Sequence, residues 1–272
     1  MISLFFIFAL SMSFIYSYDL EQANTCIYLS GAAYCEKENY KTMQLVGSAT
    51  GFVYQDTLYD LKTDIQGYIG YITAKKTIYV VLRGTSSVQN WLDDAEVKLV
   101  DYQTWPTCNC KVHNGFYKSV QEITNKTINV VSFLKKKFPT YSVISTGHSY
   151  GAATSQLLGM ELEKKGIHVE IYNYGQPRVG DSKYAGFVNT IISNYWRFTH
   201  NKDIVPHVPP ISVFGYLHSC REVFEDETGV LKICSESNCE DPKCANQFSL
   251  AETNSDDHSF YLGHKVDCES SV

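Results

Sequence analysis

The stretch Tyr141-Ser142-Val143-Ile144-Ser145-Thr146-Gly147-His148-Ser149-Tyr150-Gly151 carries a β-branched run straight into Gly-x-Ser-x-Gly, and a helix-like segment follows at once. In that pattern the serine sits on a strained turn between a strand and a helix, so small residues must flank it. Gly147 and Gly151 supply the room, because a side chain at either position would crowd the turn and the adjoining strand. A bare Gly-x-Ser-x-Gly recurs by chance. Set between a strand and a helix, it points to ester or amide chemistry through Ser149.

The flanking sequence extends the pattern in both directions. Ile65 to Ile72 and Thr77 to Arg83 read as strands, the second nearly all β-formers and therefore central. Phe116 to Phe138 reads as a long helix with Val120, Ile123, Val131 and Leu134 on one face, and Lys135 to Lys137 suit its C-terminal end. Strand Tyr141 to Ser145, helix Ala152 to Lys165, strand Val169 to Tyr174, a short helix near Asp181 to Ile192 and strand Tyr195 to Thr199 complete the series. Such alternation predicts an α/β fold, a mostly parallel central sheet with helices on both faces. Beyond Pro206 the chain reads as irregular, polar and cysteine-rich, a loop region tied down by disulfides. No repeat, low-complexity segment or linker divides it, so residues 18–272 read as one domain.

Residues 1–17 read as a secretory signal peptide. Leu4 to Leu10 is its apolar core and Ser17 a small residue before a cleavage point at Tyr18, although the segment lacks Lys or Arg. Ser11, Ser13 and Ser17 interrupt the run, which argues against a membrane anchor of about 18 apolar residues. A secreted or lumenal protein without a transmembrane segment is expected. The nine cysteines, all after the signal, fit an oxidising compartment, and their odd number leaves at least one outside an internal bridge. A metal site is the rival reading of the late cysteines, but no C-x-x-C pair occurs and no metal is expected. Asn125-Lys126-Thr127 is a glycosylation sequon. The net charge of −6 argues against nucleic acid as partner.

A serine at its free pKa is a poor nucleophile; a histidine must take its proton and a carboxylate must hold that histidine. In α/β-hydrolases the order is Ser, then Asp or Glu, then His, so both partners must follow Ser149. His168 and His200 bound predicted strands, and His207 and His218 flank a proline-rich, aromatic stretch that suits structural hydrogen bonding. His258 lies in the loop-like Asp256-Asp257-His258-Ser259-Phe260-Tyr261-Leu262-Gly263 near the end, where such folds put their base; His264 lies past the aromatic cluster. Asp203 follows strand Tyr195 to Thr199 within a short loop, which presents it at the strand's C-terminal end. Asp181 suits a helix N-cap, and Asp226 and Glu227 a solvated turn.

From about Tyr28 to Cys268 the chain resembles the secreted fungal-type class 3 lipases, a family that includes feruloyl esterases. Arg83-Gly84-Thr85-Ser86-Ser87 with Asn90-Trp91-Leu92 is similar to that family's oxyanion loop and lid. Val112-His113-Asn114-Gly115-Phe116, Thr146 to Gly151, Gly175-Gln176-Pro177-Arg178-Val179-Gly180-Asp181, Asp203-Ile204-Val205-Pro206 and Asp257-His258 resemble its remaining signatures. The resemblance implies a triad of Ser149, Asp203 and His258, an oxyanion hole from the backbone N–H groups of Thr85 and Tyr150 with the Thr85 hydroxyl as an extra donor, and no cofactor. It also implies bridges Cys35–Cys268 and Cys234–Cys244, and a Cys108–Cys110 bond where some members have C-x-x-C, strained here by the missing residue. Cys26, Cys220 and Cys239 have no partner by this resemblance. Tyr150 stands where Leu is usual and Ala152 where Gly is usual; Tyr150 is expected to narrow or polarise the mouth of the acyl site.

In the lid segment, Ser86 to Glu96, Val88, Trp91 and Leu92 form one apolar helical edge against Gln89, Asn90, Asp93 and Asp94. Such a lid can close over a site in water and open onto lipid; an ordinary surface helix is the plainer reading. The family's feruloyl esterases have a more polar lid. The expected activity is therefore triacylglycerol hydrolysis at a lipid–water interface, with phospholipase A1 or feruloyl-type esterase activity as the alternative. A catalytically silent lipid-binding relative would have lost a triad member, and this sequence keeps all three.

Overall fold

The computed structural model describes residues 17–85 and 97–272. The signal segment and the lid positions Val88, Trp91 and Leu92 lie outside the described residues, apart from Ser17. The eight-stranded main sheet runs in the order β1-β2-β3-β6-β7-β9-β11-β12. Its strands are β1 (Phe52–Tyr59), β2 (Gln66–Ile72), β3 (Thr77–Leu82), β6 (Ser142–His148), β7 (Glu170–Tyr174), β9 (Tyr195–His200), β11 (Glu222–Glu225) and β12 (Leu231–Ile233). The stretch from β3 to β11 is parallel throughout, while β1-β2-β3 and β11-β12 are antiparallel. Short strands β4 (Leu99–Asp101), β5 (Lys111–His113), β8 (Gly180–Asp181) and β10 (Tyr216–Leu217) make a second sheet, and β13 (Phe260–Tyr261) pairs with β14 (His264–Lys265).

Strand β3 shows why the sheet is sandwiched. All six of its residues are buried, and with a period of two its side chains enter opposite layers. Ile78, Val80 and Leu82 join one core with Val120, Ile123, Val131 and Leu134 of helix α2 (Asn114–Lys137) and Leu157 and Leu158 of helix α3 (Tyr150–Lys164). Tyr79 and Val81 join the other, with Ala23, Ile27 and Leu29 of helix α1 (Leu20–Ala32). Helix α4 (Ser182–Ile191) packs on the first side, and its N-cap Asp181 accepts the Tyr184 amide at 2.8 Å. This is the α/β-hydrolase architecture.

The second sheet was not expected from the sequence, and three further regions differ from the sequence reading. Helix α1 escapes a periodicity search because the side it buries includes Thr25, Cys26, Ser30 and Gly31 as well as apolar residues. Strand β1 is only half-buried and mixed in composition, so it lacks a clean alternation. Beyond Pro206 the chain is not simply loop: β11 lies parallel to β9 and β12 closes the sheet edge. These strands are short, and β11 carries Glu222 and Glu225 into buried positions, which hides them from a hydrophobicity reading.

Disulfides join Cys35–Cys268, Cys108–Cys110, Cys220–Cys239 and Cys234–Cys244, and leave Cys26 buried in α1 as a free thiol. The first spans 233 residues. Closing so long a loop restricts the unfolded chain by about 3–5 kcal/mol, mainly through lost entropy. The double substitution Cys35→Ser/Cys268→Ser is therefore expected to lower the calorimetric melting temperature by roughly 10 °C. An unchanged melting temperature would show that the bridge contributes nothing to stability.

Candidate active site

Strand β6 delivers Ser149 to the start of α3. Its backbone sits at φ 61° and ψ −129°, left-handed space that a residue with a side chain enters only under constraint. Close approach explains the flanking glycines. A Cβ on Gly147 would stand 2.4 Å from Gly151 backbone, and one on Gly151 would stand 2.2 Å from the Leu82 carbonyl oxygen. The Ser149 amide donates to the Tyr174 carbonyl of β7 at 2.9 Å, which pins the turn to the next strand. Its Oγ is buried without a hydrogen-bond partner among the described residues.

Asp203 and His258 come together from segments 55 residues apart. The His258 Nδ1–H donates to Asp203 Oδ2 at 2.8 Å, and both side chains are buried. With Nδ1 as donor, the neutral ring keeps its lone pair on Nε2, which has no hydrogen-bond partner among the described residues. The loops are stitched together around this pair. The Ile204 amide donates to the Asn254 carbonyl at 3.0 Å, the Asn254 amide to the Lys202 carbonyl at 2.8 Å, and the Lys202 amide to Asp257 Oδ2 at 3.1 Å. Burial alone would raise the Asp203 carboxyl. His258, the Tyr261 hydroxyl and the Val205 amide at 2.8 Å more than offset it and hold the group below its ordinary value. Asp203 is thus ionised and able to steady a protonated imidazole.

The loop after β3 lies against the serine: a Cβ on Gly84 would come within 3.0 Å of Ser149 Cβ. Thr85 follows, with a buried hydroxyl that has no hydrogen-bond partner among the described residues. Tyr150 opens α3, so its amide belongs to the first turn, whose N–H groups lack an intrahelical acceptor and carry the positive end of the helix dipole. The Tyr150 ring stands edge-on to Phe116 of α2 with centroids 5.5 Å apart, and it packs against the α2–α3 core.

The remaining sequence candidates serve local structure. His200 donates from Nδ1 to the Asp257 carbonyl at 2.9 Å, and His218 from Nε2 to the Pro206 carbonyl at 2.7 Å. His264 bonds Ser271 Oγ at 3.0 Å, His207 is buried, and His168 is exposed beside Glu163. Glu222, Cys234 and Cys244 lie close together, but the two sulfurs are bonded to each other and offer no thiolate to a metal. Asn125 is exposed on α2.

Two functional neighbours were not found by sequence reasoning. Tyr261 lies three residues past His258 and had no signal beyond that proximity. Arg178 lies within the Gly175 to Asp181 motif and had no assigned role. Its guanidinium donates from Nη1 to the carbonyls of His207 at 2.6 Å and Pro209 at 3.0 Å, and from Nε and Nη2 to Glu240 at 2.8 and 2.7 Å. It thereby ties the segment after Asp203 to the cysteine-rich region.

A strained serine at a strand-to-helix turn, with a buried aspartate–histidine pair on loops of a mostly parallel sheet, defines an α/β-hydrolase of the serine type. The model of class 3 lipases matches residues 79–213. The lipase of Rhizomucor miehei is 33% identical over 251 residues, covering 86% of this chain and 66% of that protein. The secreted mono- and diacylglycerol lipase 1 of Fusarium solani is 34% identical over 198 residues, covering 72% and 55%. A solved triacylglycerol lipase whose catalytic centre is formed by a serine protease triad superposes with a TM-score of 0.83 at 30% identity, over 92% of this chain and 96% of that one. The chain belongs to the class 3 lipase family. It spans between about half and two thirds of the length of the curated relatives it matches.

The Arg178–Glu240 pair is buried on both sides, so removing one charge strands the other. Burial alone would raise the Glu240 carboxyl, but the neighbouring His218 and the Arg178 guanidinium outweigh it and hold it far below the usual carboxylate range. A depressed carboxylate contributes stability that is complete above its unfolded pKa of about 4.3 and is lost as pH falls toward the folded value. Glu240→Gln is expected to cost about 3–5 kcal/mol at neutral pH and to flatten the loss of stability on acidification. Denaturant titrations at pH 7 and pH 3 measure both; equal stability of the two proteins at pH 7 would refute the pair's role.

Proposed function

We propose that this protein hydrolyses the ester bonds of acylglycerols by serine acyl transfer, with Ser149 as nucleophile, His258 as base and Asp203 as the acid that orients it. The observation that carries this reading is Ser149 on its strained elbow together with a histidine whose Nδ1–H is committed to a buried aspartate. His258 Nε2 takes the Ser149 proton as Oγ attacks the ester carbonyl, and Asp203 stabilises the imidazolium. Negative charge develops on the carbonyl oxygen, where the Thr85 and Tyr150 amides are assigned as donors; loss of one such donor typically costs on the order of a hundredfold or more in rate. His258 then protonates the leaving alcohol, and water repeats the cycle on the acyl-enzyme.

Relatives described as triacylglycerol lipase and as mono- and diacylglycerol lipase support acylglycerol as the substrate class. Among the described residues no helix is long and apolar enough to cross a membrane. Secretion after removal of residues 1–17, residues 18–272 as one domain, Asn125 as a glycan acceptor and work at a lipid–water interface belong to the same proposal. Four disulfides support its oxidising compartment.

Hydrolysis measured on triolein emulsion, phosphatidylcholine vesicles and methyl ferulate tests the substrate. Triolein is expected to turn over fastest, and ferulate turnover without fatty acid release from triolein would overturn the assignment. A serine-directed organophosphonate is expected to label the wild type and not Ser149→Ala; an unlabelled wild type would leave only lipid binding. Asp203→Asn is expected to lower kcat by roughly ten-thousandfold through the wrong imidazole tautomer.

A further inference from the structure

His148 stands immediately before Ser149 and is fully enclosed, yet the acyl-transfer cycle gives it no task. Its two ring nitrogens each have one partner: Nδ1 lies 2.7 Å from the Tyr34 hydroxyl, and Nε2 lies 2.8 Å from the main-chain carbonyl of His258. A carbonyl can only accept, so Nε2 must carry the hydrogen, and in a neutral ring Nδ1 must then accept from Tyr34. Burial, with the neighbouring His258, holds His148 well below the ordinary histidine range and so keeps it neutral, while burial raises the Tyr34 phenol and keeps it a donor. The His148 ring also underlies that of His258, with centroids 4.2 Å apart and planes tilted by 34°.

Tyr34 touches a third part of the site. A Cβ on Gly84 would fall 2.0 Å from its hydroxyl, so the loop bearing Thr85 rests on the same oxygen that bonds His148 Nδ1. One buried array therefore runs from the Gly84–Thr85 loop through Tyr34 and His148 to the backbone of His258.

We propose that His148 is a positioning residue for the reaction: the His258 carbonyl fixes it as the Nε2–H tautomer, Tyr34 donates to the Nδ1 lone pair, and the Nε2–H registers the His258 segment against the Ser149 elbow. This rests on the serine acyl-transfer reading given above. It acts through His258, so it should govern turnover more than substrate binding.

Two amides of similar polarity separate this role from simple space filling. Gln places its side-chain nitrogen near the former Nε2, whereas Asn reaches only as far as Nδ1. His148→Asn is expected to lower kcat on a soluble short-chain ester by roughly 30–100-fold with KM within about twofold. His148→Gln is expected to recover most of that loss, and Tyr34→Phe to lose roughly tenfold in kcat. Equal kcat for the Asn and Gln variants, or a loss confined to KM, would overturn the proposal. Long-range ¹H–¹⁵N spectra of the wild type with labelled histidine give a test that needs no variant to fold. The Nε2–H tautomer is expected for His148, and an Nδ1–H tautomer or an imidazolium would overturn it. A wild type that cleaves no ester would refute the acyl-transfer reading instead, with the tautomer still deciding the array.

Discussion

Ser149 is held in a backbone conformation that costs a residue with a side chain on the order of 1–3 kcal/mol, and the surrounding architecture keeps it there. Strand β6 is paired in parallel with β3 and β7, so the elbow cannot relax without breaking a central ladder. Gly147 and Gly151 let α3 turn back against β3 within four residues. The Ser149 amide is fastened to β7. A parallel sheet brings the C-terminal ends of its strands to one edge. From that edge come the Thr85 loop after β3, Ser149 after β6 and Asp203 after β9.

The partner side chains are fixed differently. Asp203 and His258 sit on short irregular segments, where regular hydrogen bonding gives little support. Side chains and cross-loop amides replace it: Asp257 gathers Asn201, Lys202 and Asn254, while Arg178 grips the chain just after Asp203. This explains why the cysteine-rich region matters to a site it does not line. Glu240, next to Cys239, supplies the counter-charge that lets Arg178 stay buried.

The elbow, strands β2, β3, β6, β7 and β9 and helices α2, α3 and α4 were legible because each follows a simple period or a motif with a steric reason. Asp203 and His258 were legible from chain order and from the position of the strand before the acid. What escaped depends on pairing that a linear reading cannot see. Helix α1 buries polar residues because Thr25 Oγ1 bonds backbone carbonyls of its own helix and of Ser48. Glu222 can lie inside β11 because Arg197 and Thr199 on β9 meet it. The pairing of Cys220 with Cys239 likewise depends on the course of the chain between them, which no spacing rule supplies.

The bridge from Cys35 to Cys268 has a mechanical meaning. Among the described residues, every regular element from β1 to β14 lies inside the covalent loop it closes, and α1 alone lies outside. Tension applied to the two ends of the described chain would therefore run through sulfur and bypass the sheet. The part left to bear load is α1, whose trailing residue Tyr34 touches both His148 and the Gly84 loop. A pull on the N-terminal helix would disturb the array beneath the elbow before it stretched a single strand.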